Sequence, residues 1–158
     1  MYKTKLKNTK ALLVSLLISL GVGALSGILT KNSVNVYGQL NLPPLSPPSW
    51  VFPVVWTILF VLMGISSYII YTSKSQNTKG ALAIYFLQLV VNFIWPLIFF
   101  GAQEYLFAFI WLIFLWLLVV LMINMFYKIS PIAALLQIPY LIWLTFAAYL
   151  NLMVVILN

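Results

Sequence analysis

Six tryptophans, nine tyrosines and a few carboxamides make up nearly all the chemical equipment of this chain. It has no cysteine and no histidine, and Glu104 is its one acidic residue. That excludes disulfides, thiolate or imidazole metal ligands, Cys or His nucleophiles and paired carboxylates. A haem iron would find neither of its usual axial ligands. No metal, no resident cofactor and no acid–base catalytic residue is therefore expected. What remains can stack, fill apolar volume and exchange hydrogen bonds.

The spacing of these residues is regular. Trp56, Phe60, Met63 and Ser67 recur at i, i+4, i+7 and i+11, and on a helix they share one face. Gln88, Asn92, Trp95 and Phe99 repeat that spacing in the next apolar stretch, and Tyr140, Trp143, Ala147 and Asn151 lie near one face of the last. An unpaired amide in hydrocarbon is costly, so the face carrying Gln88 and Asn92 must look into a bundle or a cavity. Either amide could meet a ligand or act as hydrogen-bond glue between helices. Trp50, at the edge of an apolar run, reads as an interfacial anchor, and Trp111 and Trp116 read as packing or lipid-facing residues.

The elements that must position these faces are membrane spans. The chain is 65% hydrophobic and 6% charged, with a mean hydropathy of +1.12, whereas a soluble domain carries about a quarter charged residues. At roughly 30 residues per span plus loop, 158 residues hold five helices and no extramembrane domain. The expected architecture is a single all-α, five-transmembrane-helix bundle over residues 1–158. Its spans fall at about 11–29, 50–71, 81–100, 105–127 and 131–157, with a Pro-rich loop between the first two.

The first apolar run, Ala11–Leu29, could be the core of a signal peptide, with Ala24-Leu25-Ser26 as a cleavage site. The run continues past that point, and Ser15, Ser19, Gly23, Ser26 and Gly27 give it a small-residue face, so an uncleaved span is expected. Gly23 and Gly27 form a GxxxG pair suited to internal packing or to a dimer. Pro43, Pro44, Pro47 and Pro48 make a stiff lead-in that is not helical. Kinks are expected at Pro96 and Pro139, and Ser130 with Pro131 forms a cap and first turn. Seven lysines, Lys3, Lys5, Lys7, Lys10, Lys74, Lys79 and Lys128, fall on one side of this topology and Lys31 alone on the other. The positive-inside rule then puts the N-terminus in the cytoplasm and the Pro-rich loop and C-terminus outside.

Three stretches resemble the translocator protein family, also called the tryptophan-rich sensory protein or peripheral benzodiazepine receptor family (TspO). They are PPLSPPSWVFPVVW at Pro43–Trp56, YFLQLVVNFIWPLIFFG at Tyr85–Gly101, and Ser130–Asn151, where SP, PY, W, FA and LN fall in the family's order. The resemblance implies five transmembrane helices, often dimeric, with a ligand pocket closed by the loop between helices one and two. It implies porphyrins such as protoporphyrin IX as ligands, and in some members cholesterol or benzodiazepine-type compounds. Carried over by position, Tyr37 would lie in the lid, Phe52, Trp56 and Phe60 would line the pocket from helix two, Asn92 and Trp95 from helix three, and Trp143 and Ala147 from helix five. Gln88 joins this set from its spacing. Where members commonly have an Asp in helix four this chain has Trp111, and Leu45 stands where a Trp is frequent. Cholesterol is a poor fit, because no basic residue follows Tyr149 and only a stretched pattern runs from Leu62 through Tyr68 to Lys74.

The functional expectation is a membrane receptor or sensor for porphyrins in a Trp-lined intramembrane pocket, with a role in their trafficking. One alternative is a light-dependent porphyrin-degrading enzyme in which Trp56 and Trp143 donate electrons. Another is a small transporter of hydrophobic ligands, disfavoured by the lack of polar residues through the spans. No span carries a cation, so a porphyrin's carboxylates are expected at the pocket mouth, near Lys31. Nucleic acid is not an expected partner, because the lysines flank apolar spans.

Overall fold

A computed structural model describes residues 8–32 and 34–158. The tail lysines Lys3, Lys5 and Lys7, on which the orientation argument partly rests, lie outside the described residues. Helices α1 (Thr9–Thr30), α2 (Val51–Tyr71), α3 (Thr78–Pro96), α4 (Tyr105–Ile129), α5 (Pro131–Leu136) and α6 (Ile138–Leu157) account for most of the chain, and no strand occurs among the described residues. With α5 and α6 taken together as Pro131–Leu157, five helices are long and apolar enough to cross a membrane. The chain is an integral, multi-pass membrane protein.

Local chemistry explains where these helices start and bend. Asn8 caps α1, its Oδ1 accepting from the Ala11 amide at 3.0 Å. Ser130 ends α4 in an extended conformation and accepts from Ala133 at 3.4 Å, with Pro131 next in line. Pro96 has no amide to offer the Asn92 carbonyl, and α3 gives way there to a π-helical turn, Leu97–Gly101, closed by Ala102 N donating to Leu97 O at 2.9 Å. The return to α4 passes through Gln103, whose φ of 56° is left-handed.

The fifth span is interrupted at a single turn residue, Gln137, close to the kink expected at Pro139. Pro139 cannot donate to the Leu135 carbonyl, and the chain tightens two residues earlier, where Gln137 N donates to Ala134 O at 3.0 Å. That break sets the shape of the bundle. α5 packs against α2 and α4, and Ser66 Oγ donates to Ala133 O at 2.8 Å to join α2 to α5. Beyond the break α6 stays on α4 but has no comparable backbone packing with α2. The main apolar core, with Met63, Tyr85, Leu115, Phe126 and Leu144, fills the half of the bundle where α5 lies. At the other end a small cluster of Ile98, Phe99, Ala108 and Val154 leaves the space between α2, α3 and α6 open.

Two polar devices hold this frame. Between α1 and α2, Ser19 Oγ donates to Phe60 O at 2.7 Å, inside the bundle. Gly64 lets the backbones close: a Cβ there would meet Leu16 Cα at 3.0 Å and Ser19 Oγ at 2.8 Å. Between α3 and α6, the Tyr140 hydroxyl donates to Gln88 Oε1 at 2.8 Å and accepts from Asn92 Nδ2 at 2.6 Å. Gln88 Nε2 turns to Met63 Sδ at 3.9 Å, which brings α2 into the same network. The GxxxG pair splits in role. Gly23 receives the Phe60 ring, whose nearest atom would lie 2.5 Å from a Cβ, while nothing stands within 4 Å of one at Gly27.

Gly64→Ala should push α1 off α2 and destabilise the protein by about 1–3 kcal/mol, seen as a lower thermal midpoint in detergent. Gly27→Ala should leave that midpoint unchanged, and equal midpoints for the two variants would refute the account of the α1–α2 seam. Tyr140→Phe leaves a fully buried amide short of a partner and should cost about 1–3 kcal/mol. Titration of unfolding with a denaturing detergent would measure that loss.

Candidate functional site

The gap between α2, α3 and α6 is a cavity of about 830 Å³, bordered along one side by α1 and at its mouth by the loop that follows α1. Each wall reflects one helical face. From α2 come Phe52, Trp56 and Phe60, from α3 Asn92 and Trp95, and from α6 Trp143, Ala147 and Asn151. Tyr37, Leu42, Pro43 and Ser46 reach it from the loop. α4 contributes nothing to the lining.

Eight of the nine residues expected at a ligand site therefore border one space: Tyr37, Phe52, Trp56, Phe60, Asn92, Trp95, Trp143 and Ala147. Gln88 does not. It lies one turn deeper, fully buried, with its amide committed to Tyr140 and Met63, and so serves as glue beneath the cavity floor. Asn92 does both, since its amide holds Tyr140 while its side chain borders the void. The spacing argument missed the wall supplied by α1, where Leu20, Gly23, Ala24, Ser26, Gly27 and Thr30 face in. The signal was the small-residue stripe, which also suits close packing or a dimer. Phe99 and Phe100 line the cavity too, brought there by the π turn after Pro96.

The rings form an interlocked wall. Tyr37 meets Phe52 edge to face at 5.3 Å, and Phe52 meets Trp143 in the same manner at 5.9 Å. Trp56 lies 5.7 Å from Phe60 and 6.1 Å from Tyr140, and Trp95 stacks on Phe99 at 5.1 Å. Such pairs contribute beyond their buried area and bridge α2 and α6 where their backbones are not closely packed.

Polar groups around the cavity divide into committed and open. Trp95 Nε1 donates to Asn151 Oδ1 at 3.2 Å, and Asn151 Nδ2 donates in turn to Tyr105 O at 2.9 Å. Trp143 Nε1 is buried without a hydrogen-bond partner among the described residues. Among the described residues, Lys31 is the one charged side chain in the lining, at the mouth. Tyr37 Oη donates to Pro47 O at 3.2 Å, and burial pushes its phenol pKa up, with the nearby Ser46 hydroxyl pulling the other way. The phenol thus stays a neutral donor at physiological pH. The loop is also fastened to the end of α6: Asn41 N donates to Asn158 Oδ1 at 3.1 Å and Asn158 Nδ2 donates to Asn41 O at 3.1 Å.

The two tryptophans of α4 lie outside this wall. Trp111, at the position where the resemblance would place an Asp, donates its indole N–H to the Val91 carbonyl at 2.8 Å, and Trp116 donates to Thr145 Oγ1 at 2.9 Å. Both join helices. The site as a whole can hold a large, flat, apolar molecule with a few acceptors; it has no acid or base placed for proton transfer and, among the described residues, no group of metal-ligating side chains.

A model of the TspO/MBR family matches residues 14–157. The chain is 36% identical to the tryptophan-rich protein TspO of Chlorobaculum tepidum over 152 residues, 95% of this chain and 96% of that protein. It is 36% identical to the tryptophan-rich sensory protein of Cereibacter sphaeroides over 141 residues, 89% of this chain and 87% of that one. With the translocator protein of Ovis aries it shares 38% identity over 118 residues, 73% and 70% of the two chains. An aromatic cavity within five spans, together with a match over nearly the whole chain, places this protein in the TspO/MBR family.

Proposed function

We propose that this protein is a membrane receptor or sensor whose cavity binds a porphyrin of the protoporphyrin IX type. The observation that carries the reading is the single space of about 830 Å³ walled by Trp56, Trp95 and Trp143 from three different helices. Small-molecule pockets run from about 300 to 1,000 Å³ and combine apolar walls with a few directed polar groups. A macrocycle offers the flat face these rings would cover, and the unpartnered Trp143 N–H is a donor awaiting an acceptor. Lys31 at the mouth suits a propionate that stays near water. The name of the Cereibacter sphaeroides relative, a sensory protein, supports the same class of role.

A second reading is favoured by one observation. Trp56 and Trp143 border the cavity directly, and Trp56 lies 6.1 Å from Tyr140, so an indole oxidised by a photoexcited porphyrin would have a neighbouring aromatic electron donor. With no acid, base or metal at hand, photo-oxidation by dioxygen is the chemistry such a site could support.

Protoporphyrin IX should quench the protein's tryptophan fluorescence saturably, and Trp56→Phe and Trp143→Phe should each raise the Kd roughly tenfold. Unchanged affinity in both variants would sink the porphyrin reading. At low salt the free acid should bind more tightly than its dimethyl ester, and Lys31→Gln should abolish that preference. Illuminating the aerobic complex separates the two readings. A receptor bleaches porphyrin no faster than free porphyrin in the same detergent, whereas an enzyme yields a product that disappears in the double variant Trp56→Phe/Trp143→Phe.

A further inference from the structure

A second cavity, of about 390 Å³, lies at the opposite end of the bundle, between the start of α1, the end of α2 and the start of α3. Its lining separates by chemistry along its depth. Asn8, Lys10 and Tyr71 stand at the rim, and Ser67 and Tyr85 lie further in. Val14, Ile18 and Phe86 form a flank that is 38–46% exposed and would meet acyl chains in a bilayer. The combination is a cationic rim, hydroxyls inside and an apolar flank open to lipid.

Two features mark it as unfinished without an occupant. Tyr85 is 1% exposed, yet its hydroxyl has no hydrogen-bond partner among the described residues, a situation native interiors rarely leave standing. The nearby Ser67 and Ser19 hydroxyls donate elsewhere, Ser67 Oγ to Gly64 O at 3.0 Å and Ser19 Oγ to Phe60 O at 2.7 Å, so neither has a proton for the Tyr85 oxygen. Lys10 is likewise without a carboxylate at its own end: the chain's one acidic side chain, Glu104, begins α4 at the other end of the bundle. Lys74, Lys79 and Lys128 lie at the same end as Lys10, so this end of the bundle attracts anionic lipid in general.

We propose that this cavity holds one anionic phospholipid. Lys10 pairs with the phosphodiester, the Tyr85 hydroxyl donates to an oxygen of the glycerol ester region, and an acyl chain lies along Val14, Ile18 and Phe86. A zwitterionic lipid would bring its own cation towards Lys10, and a free phosphate would leave the apolar flank uncovered. The site is separate from the porphyrin cavity and does not depend on its occupant.

The full chain, purified in a mild nonionic detergent, can be titrated with dioleoylphosphatidylglycerol, dioleoylphosphatidylcholine or inorganic phosphate. Native mass spectrometry then counts retained lipids, and thermal unfolding reads stabilisation. One phosphatidylglycerol should be retained in preference to phosphatidylcholine, with a higher thermal midpoint that inorganic phosphate does not reproduce. Lys10→Gln should weaken that binding roughly tenfold and Tyr85→Phe about threefold, while Lys128→Gln leaves it unchanged. Tyr85→Phe keeps the ring and removes only an unpartnered hydroxyl, so that variant folds and tests the interior contact. Equal retention of the two lipids would overturn the proposal. So would a Lys128→Gln loss as large as that of Lys10→Gln, which means diffuse surface charge, or a full shift with phosphate alone, which means a free-anion site.

Discussion

One hydroxyl, that of Tyr140, fixes the middle of this bundle. It donates to Gln88 and accepts from Asn92, and so anchors α6 to α3 where the apolar core ends and the cavity begins. In hydrocarbon the alternative to this network is a pair of unpaired amides, which lipid cannot solvate. The network therefore confines α6 to one position relative to α3, and that position is the cavity floor. With the floor set, the break at Gln137 lets α5 close on α2 below it while α6 runs clear of α2 above it.

The six tryptophans share a composition but not a role. Trp111 and Trp116 spend their indole N–H groups on neighbouring helices and strengthen seams that include α4. Trp95 stands between the two roles, lining the cavity while bonded to Asn151. Trp143 brings a ring and an uncommitted donor to the same space, Trp56 lies against Phe60 and Tyr140, and Trp50 is exposed at the mouth. An indole combines a large apolar face with one obligate donor, so its role follows from where the nearest acceptor lies. That is a property of the assembled bundle.

The two ends of the molecule differ in the same way. At one, a proline-stiffened loop is fastened by Tyr37 to its own backbone and by Asn41 to Asn158, over a cavity with a single cation at its mouth. At the other, Lys10 stands at the rim of a smaller recess whose phenol has no partner among the described residues. A chain with so few charges concentrates its electrostatics where the spans meet water, because the interior cannot accommodate an unpaired ion.

Much of this was legible in the residues alone. Long apolar runs separated by lysines and prolines dictate five spans, because only helices satisfy the backbone in lipid. The i, i+4, i+7 recurrence of Trp56 and Phe60, of Asn92 and Trp95, and of Trp143 and Ala147 marks faces that turn inward, since helical geometry is local and regular. What periodicity cannot supply is the distance between faces. Gln88 and Asn92 sit one turn apart on one face, yet only Asn92 reaches the void, because the cavity floor falls between them. The small residues of α1 suit internal packing or a dimer, and that they wall a cavity emerges only when Phe60 is seen packed on Gly23 while Gly27 is left open. Pro139 announces a disturbance, but that it becomes a break, with α5 on α2 and α6 away from it, depends on which neighbours the two halves find. Backbone periodicity is written residue by residue; the volume enclosed between helices is settled only when all of them pack at once.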